Sequence, residues 1–157
     1  MSSANLAPIG KVAMLVRRPA REVYRAFVEP EMLTRFWLSA ASGPLAVGKS
    51  VKWDFMVPGA TVQSEAKTLE EPQRIDVAWP DGTTVSWRFS PSVESSTLVE
   101  IEHRGFKGTP QQQLEAALDS TQGFSIVLCD LKVLLETNAS PGLVRDKALQ
   151  LQAGRDH

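Results

Sequence analysis

The chain has 157 residues, with 17 Lys plus Arg against 18 Asp plus Glu and a formal net charge of −1. That length suits one domain able to bury a substantial core. The charge balance argues against a nucleic-acid binder and against electrostatic attachment to an anionic membrane. The single cysteine, Cys129, leaves no disulfide to form within the chain. With no leader-like N-terminus and no apolar run near 18 residues, the expected location is the cytoplasm.

In chain order, "IGKVAMLVR" (9–17) is apolar and β-tolerant and predicts a first strand. Pro19 suits a helix's first turn, where its missing N–H costs nothing. Arg18 is a poor N-cap, so this helix, running to about Val28, must be held by packing. Pro30 restarts a second short helix with Leu33, Phe36 and Trp37 on one face. "SGPLAVGKS" (42–50) reads as a turn or a short edge strand.

A run of strands follows. In "VKWDFMV" (51–57), Val51, Trp53, Phe55 and Val57 alternate with Lys52, Asp54 and Met56, which is period two with an aromatic face. "TVQSEAKTL" (61–69) alternates less clearly. "RIDVAW" (74–79) places Ile75, Val77 and Trp79 together, and Pro80-Asp81-Gly82 is a hairpin signal. "TVSWRF" (84–89) turns Val85, Trp87 and Phe89 inward. In "TLVEIEHRG" (97–105), Val99, Ile101 and His103 share a face opposite Glu100, Glu102 and Arg104.

From about Gln111 to Thr137 the period becomes helical, with Ala117, Thr121, Phe124, Leu128, Leu131 and Leu135 stepping by four and three. A helix of about 25 residues would be roughly 38 Å long. Gly123 within it costs about 1 kcal/mol against Ala; close helix–sheet approach is its expected reason, with floor space for a ligand as the alternative. Asp54 and Asp130 are expected to be solvated. The domain is expected to span residues 8–138. The tail, 139–157, carries a weak helical pattern (Val144, Ala148, Leu151) and is expected to be partly ordered at best. Bunched strands ahead of one long helix favour an antiparallel sheet with helices on one face, an α+β domain.

Five segments in this order, "PAREVYRAFVEPEMLTRFW", "GPLAVGKSVKWD", "TLEEPQRIDVAW", "TLVEIEHRGF" and "QGFSIVLCDLKVLLE", resemble the activator-of-heat-shock-protein-90-ATPase-homologue family of the SRPBCC, or START-like, superfamily. The resemblance covers roughly residues 10–137; where that family more often carries Gly-Trp, this chain has Gly123-Phe124. It implies a helix-grip fold: a curved antiparallel sheet wrapped around the long C-terminal helix, with the two short helices closing one end and a cavity between sheet and helix.

The cavity implied by the resemblance would be lined by Leu33, Phe36 and Trp37 as a lid or wall. Trp53, Phe55, Trp79, Trp87 and Phe89 would line it from the sheet, and Phe124, Leu128 and Leu131 from the long helix. His103, inward by strand phase, is the one candidate for a polar anchor or a general acid/base. A core histidine bonded to a neighbour is the plainer account of it. No cluster of ligating residues stands at metal spacing and no cofactor motif is present.

Three readings of function follow. The first is a binder of a small apolar or amphipathic molecule, lipid- or polyketide-like, with no catalytic residue. The second is an enzyme of the cyclase, aromatase or hydrolase kind using His103. The third is a co-chaperone stimulating a chaperone ATPase, ranked last because the chain has no room for the additional chaperone-contacting domain of the eukaryotic namesakes. A homodimer is compatible with all three.

Overall fold

The computed structural model describes residues 6–155. The elements run β1 (Gly10–Val16), α1 (Ala20–Ala26), α2 (Pro30–Phe36), β2 (Leu38–Ala41), β3 (Ser50–Phe55), β4 (Thr61–Glu70), β5 (Arg74–Ala78), β6 (Thr84–Pro91), β7 (Thr97–Arg104), α3 (Pro110–Thr137) and α4 (Leu143–Arg155). The seven strands form one antiparallel sheet in the order β1-β7-β6-β5-β4-β3-β2. This is the α+β helix-grip architecture expected from the sequence, with α3 against the sheet and α1 and α2 closing one end.

Period two fixes which face of each strand is buried. Val51 and Trp53 of β3, Val85, Trp87 and Phe89 of β6, and Val99, Ile101 and His103 of β7 all point to the α3 side and are nearly inaccessible. Register shifts at Leu38/Ala40 in β2 and Ala66/Thr68 in β4 add the local bend that curls the sheet. β2 is absent from the sequence-based expectation, because it follows α2 after a single residue and has no alternating apolar pattern of its own.

Helix α3 starts on a reciprocal cap. Thr109 Oγ1 accepts the Gln112 N–H at 3.1 Å, and Gln112 Oε1 accepts the Thr109 N–H at 2.9 Å. Pro110 occupies the first helical position, and Asn138, left-handed at φ 58°, ends the helix. No side chain caps the N-termini of α1 and α2, in keeping with the expectation that packing holds them. That packing is aromatic. The Phe27 ring lies 5.4 Å from Phe36, 5.6 Å from Trp87 and 6.1 Å from both Trp37 and Phe89, centroid to centroid. These are edge and tilted geometries of the kind that contribute beyond their buried area.

The C-terminal segment departs from expectation. Residues 143–155 are a helix packed on α3, not a loosely ordered tail. Its N-terminus is held by Asp130 of α3, which is 1% exposed rather than solvated. Asp130 Oδ2 accepts the Val144 N–H at 3.1 Å, so a carboxylate distant in sequence does the work of an N-cap. Burial pushes the Asp130 carboxyl above the usual carboxylate range, against the pull of the Val144 and Leu143 amides.

The two roles of Asp130, hydrogen-bond acceptor and charge, are separable. Asp130→Ala should free α4, with limited proteolysis across residues 139–142 speeding up about tenfold, the equivalent of one lost cap. Asp130→Asn keeps the acceptor and removes the cost of ionising a buried acid, and should digest at the wild-type rate. A carboxyl raised on folding is destabilising where it ionises. The stability advantage of the Asn variant should therefore be absent at acid pH and grow as pH rises past the ordinary carboxylate range.

Candidate functional site

The principal cleft, about 480 Å³, opens at the end of the sheet away from α1. Its walls are the β3–β4 turn (Met56, Val57, Ala60), Trp37 and Phe55, Trp79 and Asp81 at the β5–β6 turn, His103 and Phe106, one face of α3, and α4. The volume lies in the range of small-molecule sites, and the lining is mainly apolar.

Of the residues expected to line a cavity, Trp37, Phe55, Trp79, His103 and Phe124 meet there. The others do not. Leu33, Phe36, Trp53 and Trp87 are fully buried in the core, Phe89 is 2% exposed, and Leu128 and Leu131 are sealed between α3 and the sheet. Their phase is inward as expected, but the interior beneath α1 and α2 is filled by their own rings. Of the α2 face only Trp37 is a cavity wall; Leu33 and Phe36 are plug.

Gly123 follows the second of its two readings, not the favoured one. A Cβ added there would meet nothing within 4 Å, so the residue leaves floor space in the cleft and does not serve close approach. Close approach occurs instead at Gly10 of β1, where a Cβ would lie 2.9 Å from Ser120 Oγ and 3.4 Å from the Ala117 carbonyl oxygen. Gly10 pairs with His103 across the β1–β7 ladder. The missing side chain therefore lets α3 bring Ser120 down onto His103.

His103 is 8% exposed, and its Nδ1 is hydrogen-bonded to Ser120 Oγ at 2.8 Å. Its ring is enclosed edge-on by Phe106 at 4.6 Å, Trp79 at 5.1 Å and Phe124 at 6.0 Å. Burial pushes its pKa down from 6.5 to about 4, and the Asp81 charge offsets this only in part. The imidazole is thus neutral at physiological pH. Its Nε2 is buried with no hydrogen-bond partner among the described residues. Trp79 is oriented by a 2.9 Å hydrogen bond from its Nε1 to Ser64 Oγ. Asp81 is occupied by its own turn, accepting from the Thr83 N–H at 2.9 Å and hydroxyl at 2.6 Å.

Among the cleft residues that sequence reasoning missed are Phe106, Ser120 and the α4 set Val144, Lys147, Ala148 and Leu151. The spacing of the α4 set (i, i+3, i+4, i+7) was the available signal. Ser120 carries no signal without its pairing to His103. Cys129 is exposed on α3 and away from the cleft. Among the described residues no three His, Cys, Asp or Glu side chains are grouped to hold a metal ion, and no helix is long and apolar enough to cross a membrane.

A curved antiparallel sheet gripping one long helix, with an apolar cleft between them, defines a protein of the START-like, helix-grip class. Within it, residues 17–136 match the family described as "Activator of Hsp90 ATPase homolog 1-like protein", and the chain belongs to that family. Among solved structures, the protein SSP2350 from Staphylococcus saprophyticus is 26% identical with a TM-score of 0.73, over 84% of this chain and 94% of that one. The Aha1 dimer from Colwellia psychrerythraea is 19% identical with a TM-score of 0.71, over 82% of this chain and 96% of that one. CalU16 from Micromonospora echinospora is 19% identical with a TM-score of 0.61, over 95% of this chain and 96% of that one. The last two likenesses carry the fold alone. No curated protein sequence matches the chain.

Two outcomes follow from this geometry. Gly123→Ala should stabilise the protein by about 0.5–1 kcal/mol through helix propensity, since the new methyl meets no clash, while weakening any occupant of the cleft. Urea unfolding and ligand titration on the same variant separate the two effects. For His103, the unfolded ring titrates near 6.5 and the folded ring near 4, so the unfolded state binds more protons between those values. The stability this contributes is complete above about pH 6.5 and is lost as pH falls toward 4. The slope of the urea midpoint over that window should flatten in His103→Gln.

Proposed function

We propose that this protein is a non-catalytic binder of a small apolar or amphipathic molecule, held in the cleft between the β3–β4 and β5–β6 turns, α3 and α4. The observation that carries this reading is the cleft itself: about 480 Å³, walled by Trp37, Phe55, Trp79, Phe106 and Phe124 and floored by the bare backbone of Gly123. Apolar walls with one or two polar groups are what an apolar ligand needs for affinity and orientation.

His103 supports binding over acid/base catalysis. With its pKa near 4, the ring is not an imidazolium at neutral pH, so it is a poor general acid, and it is a weak base. Its Nδ1 is already engaged by Ser120. The other ionisable groups lining the cleft are Asp81, Asp119 and Lys147. Asp81 is bonded within its turn.

A panel of aromatic and acyl-chain molecules tests the proposal, read by thermal shift and by fluorescence of Trp37 and Trp79, which both face the cleft. Binding should raise the unfolding temperature in proportion to the logarithm of ligand concentration above Kd. A bulky replacement at the floor, Gly123→Leu, should abolish the shift. No shift with any member of the panel would sink the reading.

A further inference from the structure

We propose that His103 presents a hydrogen-bond donor, Nε2–H, to the cleft's occupant, and that the occupant is therefore an apolar, largely planar molecule carrying a carbonyl or comparable acceptor oxygen. This deepens the binding reading above and rests on it.

Ser120 sets where the imidazole proton sits. Its helical neighbours Thr121 and Ser125 donate their hydroxyls to the carbonyls of Ala117 and Thr121, one turn back. Ser120 does not. Among the described residues its Oγ has one hydrogen-bond partner, His103 Nδ1, at 2.8 Å. With no other acceptor for it among the described residues, the Ser120 O–H is assigned as the donor to Nδ1, which makes Nδ1 the unprotonated nitrogen. A neutral imidazole then carries its one proton on Nε2. Gly10 permits this contact, because a Cβ there would lie 2.9 Å from the Ser120 hydroxyl oxygen.

The result is a buried donor with no partner, on a residue that lines the cleft. Such a group is costly to leave unsatisfied. A ligand oxygen that meets it recovers that cost; a ligand edge of pure hydrocarbon does not. The rings flanking His103 are Trp79, tied to Ser64, and Phe106, which sits on the loop between β7 and α3 and follows Gly105 at φ +91°. Unlike Trp79, Phe106 is not tied by a hydrogen bond, and it is the ring that would move aside for an acceptor to reach Nε2. Flat aromatic walls on several sides favour a planar body over a flexible chain.

The test has two arms. In the first, ¹⁵N spectra of the imidazoles in the ligand-free wild type, where His103 and His157 are the only histidines, should show His103 with a protonated Nε2 and a bare Nδ1 at neutral pH. The reverse tautomer overturns the inference, as does an even mixture. In the second arm, 2-acetylnaphthalene and 2-isopropenylnaphthalene, equal in shape and differing in one acceptor oxygen, are titrated against wild type, His103→Phe and Ser120→Ala. The ketone-to-hydrocarbon affinity ratio, which cancels the probes' different hydrophobicities, should fall about tenfold in His103→Phe and by a smaller factor in Ser120→Ala. An unchanged ratio with both probes bound overturns the donor and leaves the cleft a binding site. Binding of neither probe to wild type overturns both proposals. If His103→Phe does not fold, the Ser120→Ala ratio and the wild-type tautomer decide.

Discussion

Everything in this fold is arranged around the need to fill one end of a curled sheet. The concave face presents Trp53, Trp87 and Phe89, bulky rings that cannot interdigitate with a single helix as branched aliphatics would. Phe27, delivered by the turn between α1 and α2, is the ring that closes the gap, in contact with Phe36, Trp37, Trp87 and Phe89 at once. Burying a phenylalanine there is worth roughly 2–3 kcal/mol from area alone. It also explains why two seven-residue helices without side-chain caps persist at all. Once that end is plugged, the space that sheet and helix fail to fill is displaced to the opposite end, where the hairpin turns and α4 enclose it.

The plug and the cleft share a wall. Trp37 contacts Phe27 on one side and Phe124 on the other, and Phe124 in turn touches His103. Four buried polar atoms among the described residues lack partners: Trp53 Nε1, Trp87 Nε1, His103 Nε2 and Asp130 Oδ1. Two belong to the plug, one to the cleft and one to the seat of α4. Unsatisfied groups of this kind each cost about 1–3 kcal/mol. Two of them, on His103 and Asp130, stand where the cleft's polar wall and its outer helix are anchored. Stability has been conceded at the positions that shape the site, as expected where function and packing compete.

The strands other than β2, and α3, were legible in so far as their burial is periodic. Val85-Trp87-Phe89 and Val99-Ile101-His103 obey period two, and Phe124, Leu128 and Leu131 obey the helical period, so their inward direction could be read directly. Period gives direction but not position along the element. Trp87 and Trp79 both point inward, yet one is core and the other is cleft wall, and only the placement of Phe27 separates them. Helix α4 showed only as a weak pattern because its inner face is built from Ala148 and a half-buried Val144, while Leu149 and Leu151 remain substantially exposed. Its N-terminal support, Asp130, lies thirteen residues before the helix and looked like a solvated acid on α3. Close helix–sheet approach falls at Gly10 and not at Gly123 for a similar reason: a glycine's purpose depends on what faces it, which no local pattern records.

The same geometry bears on whether this fold is used here for chemistry or for holding. A helix-grip cavity can host either, and the difference lies in whether an ionisable group is kept near its working pKa. Here the one histidine of the cleft is moved away from neutrality by the very rings that define the cleft, and its Nδ1 is committed to Ser120 through a contact that Gly10 permits. Solvating that ring enough to restore its basicity would require removing Phe106 or Trp79, the walls that make the cleft apolar. Acid/base readiness and apolar enclosure are thus opposed at this site, and the packing around His103 takes the side of enclosure.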